Sequence, residues 1–340
     1  MLTIYSEDHK KRDAKTELYG GQLIQPFERP SRMDYILQRI KEVSLGEIEA
    51  PKDHGMDPLL AIHDSDYVTF LENCWKEWVA MDLKGEAIAA SWPARRMRLR
   101  CPTDIEGKLG YYALAAETSI TSGTWEAARA SANVAIEGAH RLSPSEPIFA
   151  LCRPPGHHAA IDMYGGYCFL NNAALAAQTL LDKGAERVAI LDVDFHHGNG
   201  TQDIFYDRDD VLFISIHGKP EDAFPHFLGY ADETGADAGE GFNLNFPLGP
   251  GTPFDVWRDA LKQSMERIDK FAPDALVISL GTDTFEEDPI SFFKLTSDDF
   301  FTYGKDLAQM NLPTLFVMEG GYAIESIGIN AVNVLQGFES

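Results

Sequence analysis

The sequence predicts one α/β domain, built on a predominantly parallel, multi-stranded sheet with helices on both faces. Three observations carry this. From Pro147 onward, short apolar runs alternate with helical patterns, as in a parallel sheet with crossover helices. The runs V-L-F-I-S-I-H, A-L-V-I-S-L and T-L-F-V-M are apolar without alternation, so both sheet faces are covered. No composition break, linker or internal repeat divides the 340 residues, a length within reach of one large domain.

In chain order, residues 2–6 read as a short buried strand. Residues 8–30 read as a loop, broken by Gly20, Gly21, Pro26 and Pro30 and carrying Glu17 and Tyr19. Ser31 opens a helix with Met33, Ile36, Leu37, Ile40 and Val43 at helical spacing. Asp64 and Ser65 cap a second helix through Val68, Leu71 and Trp75. Residues 84–108, rich in arginine and with two prolines, show no clean period; a loop of that length is functional or an interaction arm. Residues 111–121 and 125–141 read as two Ala-rich helices. After them come strand 148–152, helix 169–183, strand 187–193 and a short helix 201–206. Strands 211–217 and 242–246, helix 253–271 and strand 275–280 follow. Helix 297–310, capped by Ser297, strand 314–318 and helix 324–338 close the chain.

Bulk composition excludes several functions. No apolar run reaches the roughly 18 residues of a membrane helix, and residues 1–9 lack the basic and apolar regions of a secretory signal. Cys74, Cys101, Cys152 and Cys168 form no C-x-x-C pair and read as reduced thiols of a cytoplasmic protein. The net charge of −24 argues against nucleic acid, whose phosphates need a basic face. It suits a small cationic substrate, although acidity also serves solubility alone.

The chemistry gathers at strand ends. In I-L-D-V-D-F-H-H-G-N-G, Asp192 and Asp194 are two apart and share a strand face, with His196 two further on. A polar cap explains such a strand end poorly. Three more strand ends carry Gly156-His157-His158, Asp283 and Glu319-Gly320-Gly321-Tyr322, at the edge where parallel sheets bind ligands. Asp194, His196 and Asp283 make two carboxylates and an imidazole, the donor set of a catalytic zinc with an open position for water. His157 and His158 offer a general base and acid. Asp192 is placed to orient one of these imidazoles, and Tyr322 to donate to a developing oxyanion. His197 reads as structural.

The motifs R-P-P-G-H-H, D-V-D-x-H-H-G-N-G, L-G-x-D and E-G-G-Y resemble those of the zinc-dependent histone deacetylase family, of the arginase–deacetylase fold. The di-manganese relatives of that fold need extra carboxylates where this chain has Gly198 and Gly281. Within the family, residues 5–9, A-K-T-E-L-Y-G-G at 14–21, P-T-D-I-E-G at 102–107 and the insertion before it resemble the bacterial acetylpolyamine amidohydrolases.

The resemblance implies His158 as base and acid, His157 as its electrostatic partner and Tyr322 polarising the scissile carbonyl. It implies one metal, Zn²⁺ or Fe²⁺, at Asp194, His196 and Asp283. A structural K⁺ would sit at Asp192 and Ser215, and a second monovalent ion at the backbone of Phe205, Arg208, Val211 and Asn243. Tyr167 and Phe224 would flank the acyl tunnel, with Gly166 beside them. Asn199 stands where many relatives have a second Asp, which leaves His158 a better base. Glu17, Tyr19, Glu106 and Glu117 would read a polyamine. Residues 84–108 would lie at the active-site mouth and pair across a homodimer. The expected reaction is hydrolysis of acetylputrescine, acetylcadaverine, acetylspermidine or acetylspermine. A protein acetyl-lysine deacetylase and a catalytically dead binding protein are the competing readings.

Overall fold

Apolar runs rich in branched residues form the strands, and polar caps and breakers separate them from the helices. The computed structural model describes residues 1–340. The first half contains β1 (Leu2–Ile4), β2 (Glu17–Tyr19), β3 (Gln22–Ile24), α1 (Ser31–Val43), β4 (Ile48–Glu49), α2 (Asp57–Leu60), α3 (Ser65–Ala80), α4 (Ile105–Tyr112) and α5 (Thr124–Arg141). Then follow β5 (Ile148–Ala150), α6 (Asn172–Asp182), β6 (Val188–Asp192), α7 (Asn199–Phe205), β7 (Val211–Gly218) and β8 (Asn243–Leu248). The chain closes with α8 (Phe254–Phe271), β9 (Ala275–Leu280), α9 (Ser297–Ala308), β10 (Thr314–Met318) and α10 (Ile327–Phe338).

Eight strands form one sheet in the order β4-β1-β5-β10-β9-β6-β7-β8, and every pairing is parallel. Alternate residues of one strand serve different cores. Val188 and Ile190 of β6 pack with α5 and α6, whereas Ala189 and Leu191 pack with α1, α8, α9 and α10. That two-sided burial explains the absence of alternation in the sequence. No helix is long and apolar enough to cross a membrane, and all four cysteines are free.

Four expectations need correction. Residues 8–30 are not all loop: β2 and β3 pair antiparallel across Gly20 and Gly21, whose φ of +56° and +78° fit the tight hairpin turn that glycine permits. Residues 111–121 are not a helix. The helix lies earlier, at α4, where the Asp104 carboxylate accepts from the Glu106 N–H at 2.9 Å and so caps the first turn. Gly107 and Gly110 disguise it in the sequence. At Gly110 a Cβ would fall 1.5 Å from the Ser91 carbonyl oxygen, so glycine is there for close approach of the preceding segment. The irregular stretch therefore ends before α4, and 113–120 is an irregular segment with bends, bridging Ala113 to Tyr164 and Ile120 to Ala87 at its ends. The cap of α9 is Thr296, whose N–H and hydroxyl both donate to Asp299 Oδ2 at 2.7 Å, rather than Ser297. The short β4 and α2 carried no sequence signal.

Candidate active site and metal centre

The strands β5, β10, β9 and β6 are consecutive neighbours in the sheet, so the polar groups just past their carboxyl ends meet at one edge. Asp194, His196 and Asp283 bring one donor atom each within 4.8 Å of one another, all buried. His196 Nδ1 lies 3.0 Å from Asp283 Oδ2 and 3.4 Å from Asp194 Oδ1. Backbone N–H groups fix the carboxylates: Phe195 donates to Asp283 Oδ1, and His196 and Gly320 donate to Asp194, each at 2.8 Å. Burial, and then the charge of Asp194, push Asp283 up to about 8. Burial pulls His196 down, but its bonds to Asp194 and Asp283 outweigh it and raise the imidazole to about 9. Asp283 and His196 thus retain protons in the place of a cation, whereas His157 and His196 outweigh burial and hold Asp194 well below the usual carboxylate range. At Gly320 a Cβ would lie 2.6 Å from Asp194 Oδ2 and 2.7 Å from Asp283 Oδ2, so only glycine leaves this space clear. The donors O, O and N fit a divalent ion of the zinc type.

Asp192 stands outside that trio. Its Oδ2 lies 2.9 Å from His157 Nδ1, and its Oδ1 accepts from the Asp194 N–H at 3.1 Å. Burial disfavours a charged His157, but Asp194 and Asp192 outweigh it and hold its pKa well above the ordinary histidine value. His158 is moved the other way. Burial first, then the charges of His157 and His196, hold it well below that value. Its Nδ1 is 2.7 Å from Asn199 Oδ1. The Tyr322 phenol is raised well above its usual range by burial and stays protonated.

Of these groups, His158, His196 and Tyr322 line a cavity of about 390 Å³. Glu17, Tyr19, Glu117, Gly166, Tyr167 and Phe224 all line it, as expected. The Phe224 ring stands edge-on to His158 at 5.1 Å, and Tyr167 meets Tyr322 at 5.5 Å. Tyr167 has φ +67°, a strained conformation for a bulky residue that its neighbours impose. Glu17 is turned into the wall: one oxygen accepts from the Tyr167 hydroxyl at 2.7 Å, the other from the Phe27 N–H at 3.0 Å. Glu117 accepts from Gly166 N–H at 2.7 Å and Thr118 Oγ1 at 2.8 Å through Oε1 alone. It sits at a bend of the segment that follows α4, not on a helix.

Other expected residues lie apart. Glu106 is exposed on the first turn of α4 and does not line the cavity, and no residue of 84–108 does. Asp192 and Ser215 face one another in the β6–β7 register, and the Ser215 hydroxyl pairs with His217 Nδ1 at 2.8 Å. Phe205, Val211 and Asn243 lie at the end of α7 and the starts of β7 and β8, with Arg208 in the turn between α7 and β7. His197 is buried, 3.0 Å from Gln202 Oε1 and packed on His217, a structural placement. Sequence reasoning missed Asp222, His226, Ile290 and Phe292 on the cavity wall. Only their closeness to Phe224 and Asp283 in the chain pointed to them.

Residues 26–338 match the model of the histone deacetylase domain. An acetylpolyamine amidohydrolase of Mycoplana ramosa is 59% identical over 99% of this chain and 99% of its own length. Acetylpolyamine amidohydrolase 2 of Pseudomonas aeruginosa is 55% identical over 100% of this chain and 99% of its own length. The crystal structure of an acetylpolyamine aminohydrolase from Burkholderia pseudomallei superposes with a TM-score of 0.95 at 37% identity, covering 100% of this chain and 99% of the other.

Proposed function

The chain belongs to the histone deacetylase family and is a hydrolase acting on amides, and on that premise we propose that it hydrolyses N-acetylated polyamines to acetate and free polyamine. The class comprises acetylputrescine, acetylcadaverine, acetylspermidine and acetylspermine. When bound at Asp194, His196 and Asp283, a divalent ion (Zn²⁺, or Fe²⁺ on the same donors) supplies Lewis acidity that acidifies water and withdraws charge from a carbonyl. His158, uncharged at neutral pH, takes a proton from water through Nε2 as the water oxygen adds to the amide carbon. The Tyr322 hydroxyl donates to the carbonyl oxygen as charge develops there. When the C–N bond breaks, His158 returns the proton to the departing amine. His157, kept as imidazolium by Asp192 and Asp194, holds His158 in its basic form.

The observation that carries the reaction is that one cavity is lined by His196 of a cation-fitting trio, by an uncharged imidazole, His158, and by a protonated phenol, Tyr322. The substrate class rests on Glu117, whose Oε2 accepts no hydrogen bond within the chain, and on the relatives' names. We read Asp192 and Ser215, with nearby carbonyls, as a K⁺ site, and the backbone of Phe205, Arg208, Val211 and Asn243 as a second monovalent site. We read residues 84–108 as pairing across a homodimer, which suits the outward Met97 and Leu99, 65% and 74% exposed. Four free thiols fit a cytoplasmic protein.

The test is kcat/KM of the zinc-loaded protein on the four acetylpolyamines and on acetyl-lysine peptides. The expected outcome is preference for an acetylpolyamine. A preference for peptides makes the protein a lysine deacetylase, and no turnover of any acetamide makes it a binding protein.

A further inference from the structure

We propose that Asp288 is a positioning residue for the reaction: it clamps the turn after β10 and so sets the Tyr322 hydroxyl over the site. The inference rests on the reading of Tyr322 as carbonyl donor given above.

The turn runs Glu319-Gly320-Gly321-Tyr322-Ala323. Its two glycines have no side chains to pack, and Gly321 has φ +128°. Hydrogen bonds must therefore place it. Gly320 N–H donates to Asp194 at 2.8 Å, and Gly320 C=O accepts from Thr282 N–H at 3.0 Å. Arg32 holds the carbonyls of Glu319 and Gly321, at 2.5 and 2.7 Å. The two donors nearest the functional ring, Tyr322 N–H and Ala323 N–H, both end on Asp288 Oδ2, at 2.7 and 3.2 Å. Asp288 Oδ1 accepts from Ile290 N–H at 3.1 Å, and the Ile290 side chain lines the cavity. One carboxylate thus ties two walls of the cavity to the loop that starts at Asp283.

The chemistry of Asp288 is unusual for a structural loop residue. It is 7% exposed, and no lysine, arginine or histidine pairs with it. Burying a carboxylate without a counter-ion is costly. Three backbone N–H groups compensate it, and charge-assisted bonds of this kind are short and directional. The clamp acts on the backbone of the one residue whose hydroxyl must meet a substrate oxygen. At Gly320 a Cβ would lie 3.2 Å from that hydroxyl, so the phenol already sits directly over the cleared space beside Asp194 and Asp283. Asn at 288 keeps the size but loses the charge, and its NH₂ faces an N–H where an oxygen stood. The turn then shifts, and a donor displaced by about 1 Å costs up to about 10²-fold in rate.

The experiment is a double-mutant cycle on the zinc-loaded protein with acetylputrescine as substrate, using Asp288→Asn, Tyr322→Phe and the pair. The expected result for Asp288→Asn is a kcat lower by about 10- to 10²-fold, a KM within about two-fold, and unchanged zinc content and melting temperature. In the Tyr322→Phe background the same change should cost less than about two-fold, because the donor it positions is gone. Equal losses in both backgrounds, an undiminished kcat, or loss of zinc would overturn the inference. If Tyr322→Phe alone keeps full activity, the reading of Tyr322 fails, and this shows before Asp288 is considered. Should Asp288→Asn not fold, Asp288→Glu, which keeps the charge but moves both oxygens, takes its place in the cycle, and the same outcomes support or overturn the inference.

Discussion

Asn199 decides where the His158 ring carries its proton. Its amide N–H donates to the His158 carbonyl at 3.3 Å, so its Oδ1 accepts from Nδ1–H at 2.7 Å. Nε2 then bears the lone pair a base requires. A carboxylate at this position would favour the imidazolium. Asn199→Asp is therefore expected to raise the His158 pKa and move the acidic limb of the kcat/KM profile to higher pH, by about one unit. Profiles of the two proteins that superimpose would show that this partner does not tune the base. The histidines and acids of the site were legible because they interrupt apolar strand ends. Gly166 was legible only through resemblance, because its contribution is a missing side chain. A Cβ there would lie 2.1 Å from His158 Cδ2.

At the scale of elements, the parallel strands β5, β6, β7, β9 and β10 were readable, because two-sided burial leaves uninterrupted apolar runs. The hairpin β2–β3 was not. It has three residues per strand, and Leu18, Tyr19 and Leu23 are exposed, so neither length nor alternation marks it. Helix α4 was displaced for the reason seen at Gly110, where close packing overrides propensity. The hairpin carries Glu17 and Tyr19 into the cavity wall, so its turn should matter to binding more than to folding. Gly21 has φ +78° with open space around it, so Gly21→Ala meets only backbone strain of about 1–2 kcal/mol. The expected outcome is a raised KM for acetylpolyamines with the melting temperature lower by no more than about 2–4 °C. A fall in melting temperature at constant KM would place the hairpin in the folding core instead.

Across the whole molecule, the acidic surface encloses a basic interior knot. Arg12, Arg32 and Arg153 are buried around Glu28, which Arg153 grips through Nε at 2.7 Å and Nη2 at 3.1 Å. Burial works against the Glu28 charge, but Arg153, Arg32 and Arg12 outweigh it and lower its pKa to about 2. A depressed carboxylate stabilises the fold above its unfolded pKa and loses that contribution as pH falls through the folded one. Here that is on the order of 3 kcal/mol, present above about pH 4.5 and lost toward pH 2. Glu28→Gln should lower the melting temperature at pH 7 and flatten its decline between pH 4.5 and 2; parallel melting curves for the two proteins would contradict this. With the buried guanidiniums left uncompensated, the whole cost of Glu28→Gln at pH 7 is about 3–5 kcal/mol.

The strand order has a further consequence, for when the site comes into being. β5 and β6 are made early, yet the two places between them are filled only by β10 and β9, from the last quarter of the chain. A nascent chain that has reached α8 holds both histidines, Asp194 and His196, but neither Asp283 nor Tyr322. Its sheet is open at the centre, with unpaired edges. Pairings of such sequence separation form slowly and leave the gap exposed while synthesis continues. The trio of Asp194, His196 and Asp283 is thus completed only in the last steps of folding, and a half-made chain has no hydrolytic centre to release.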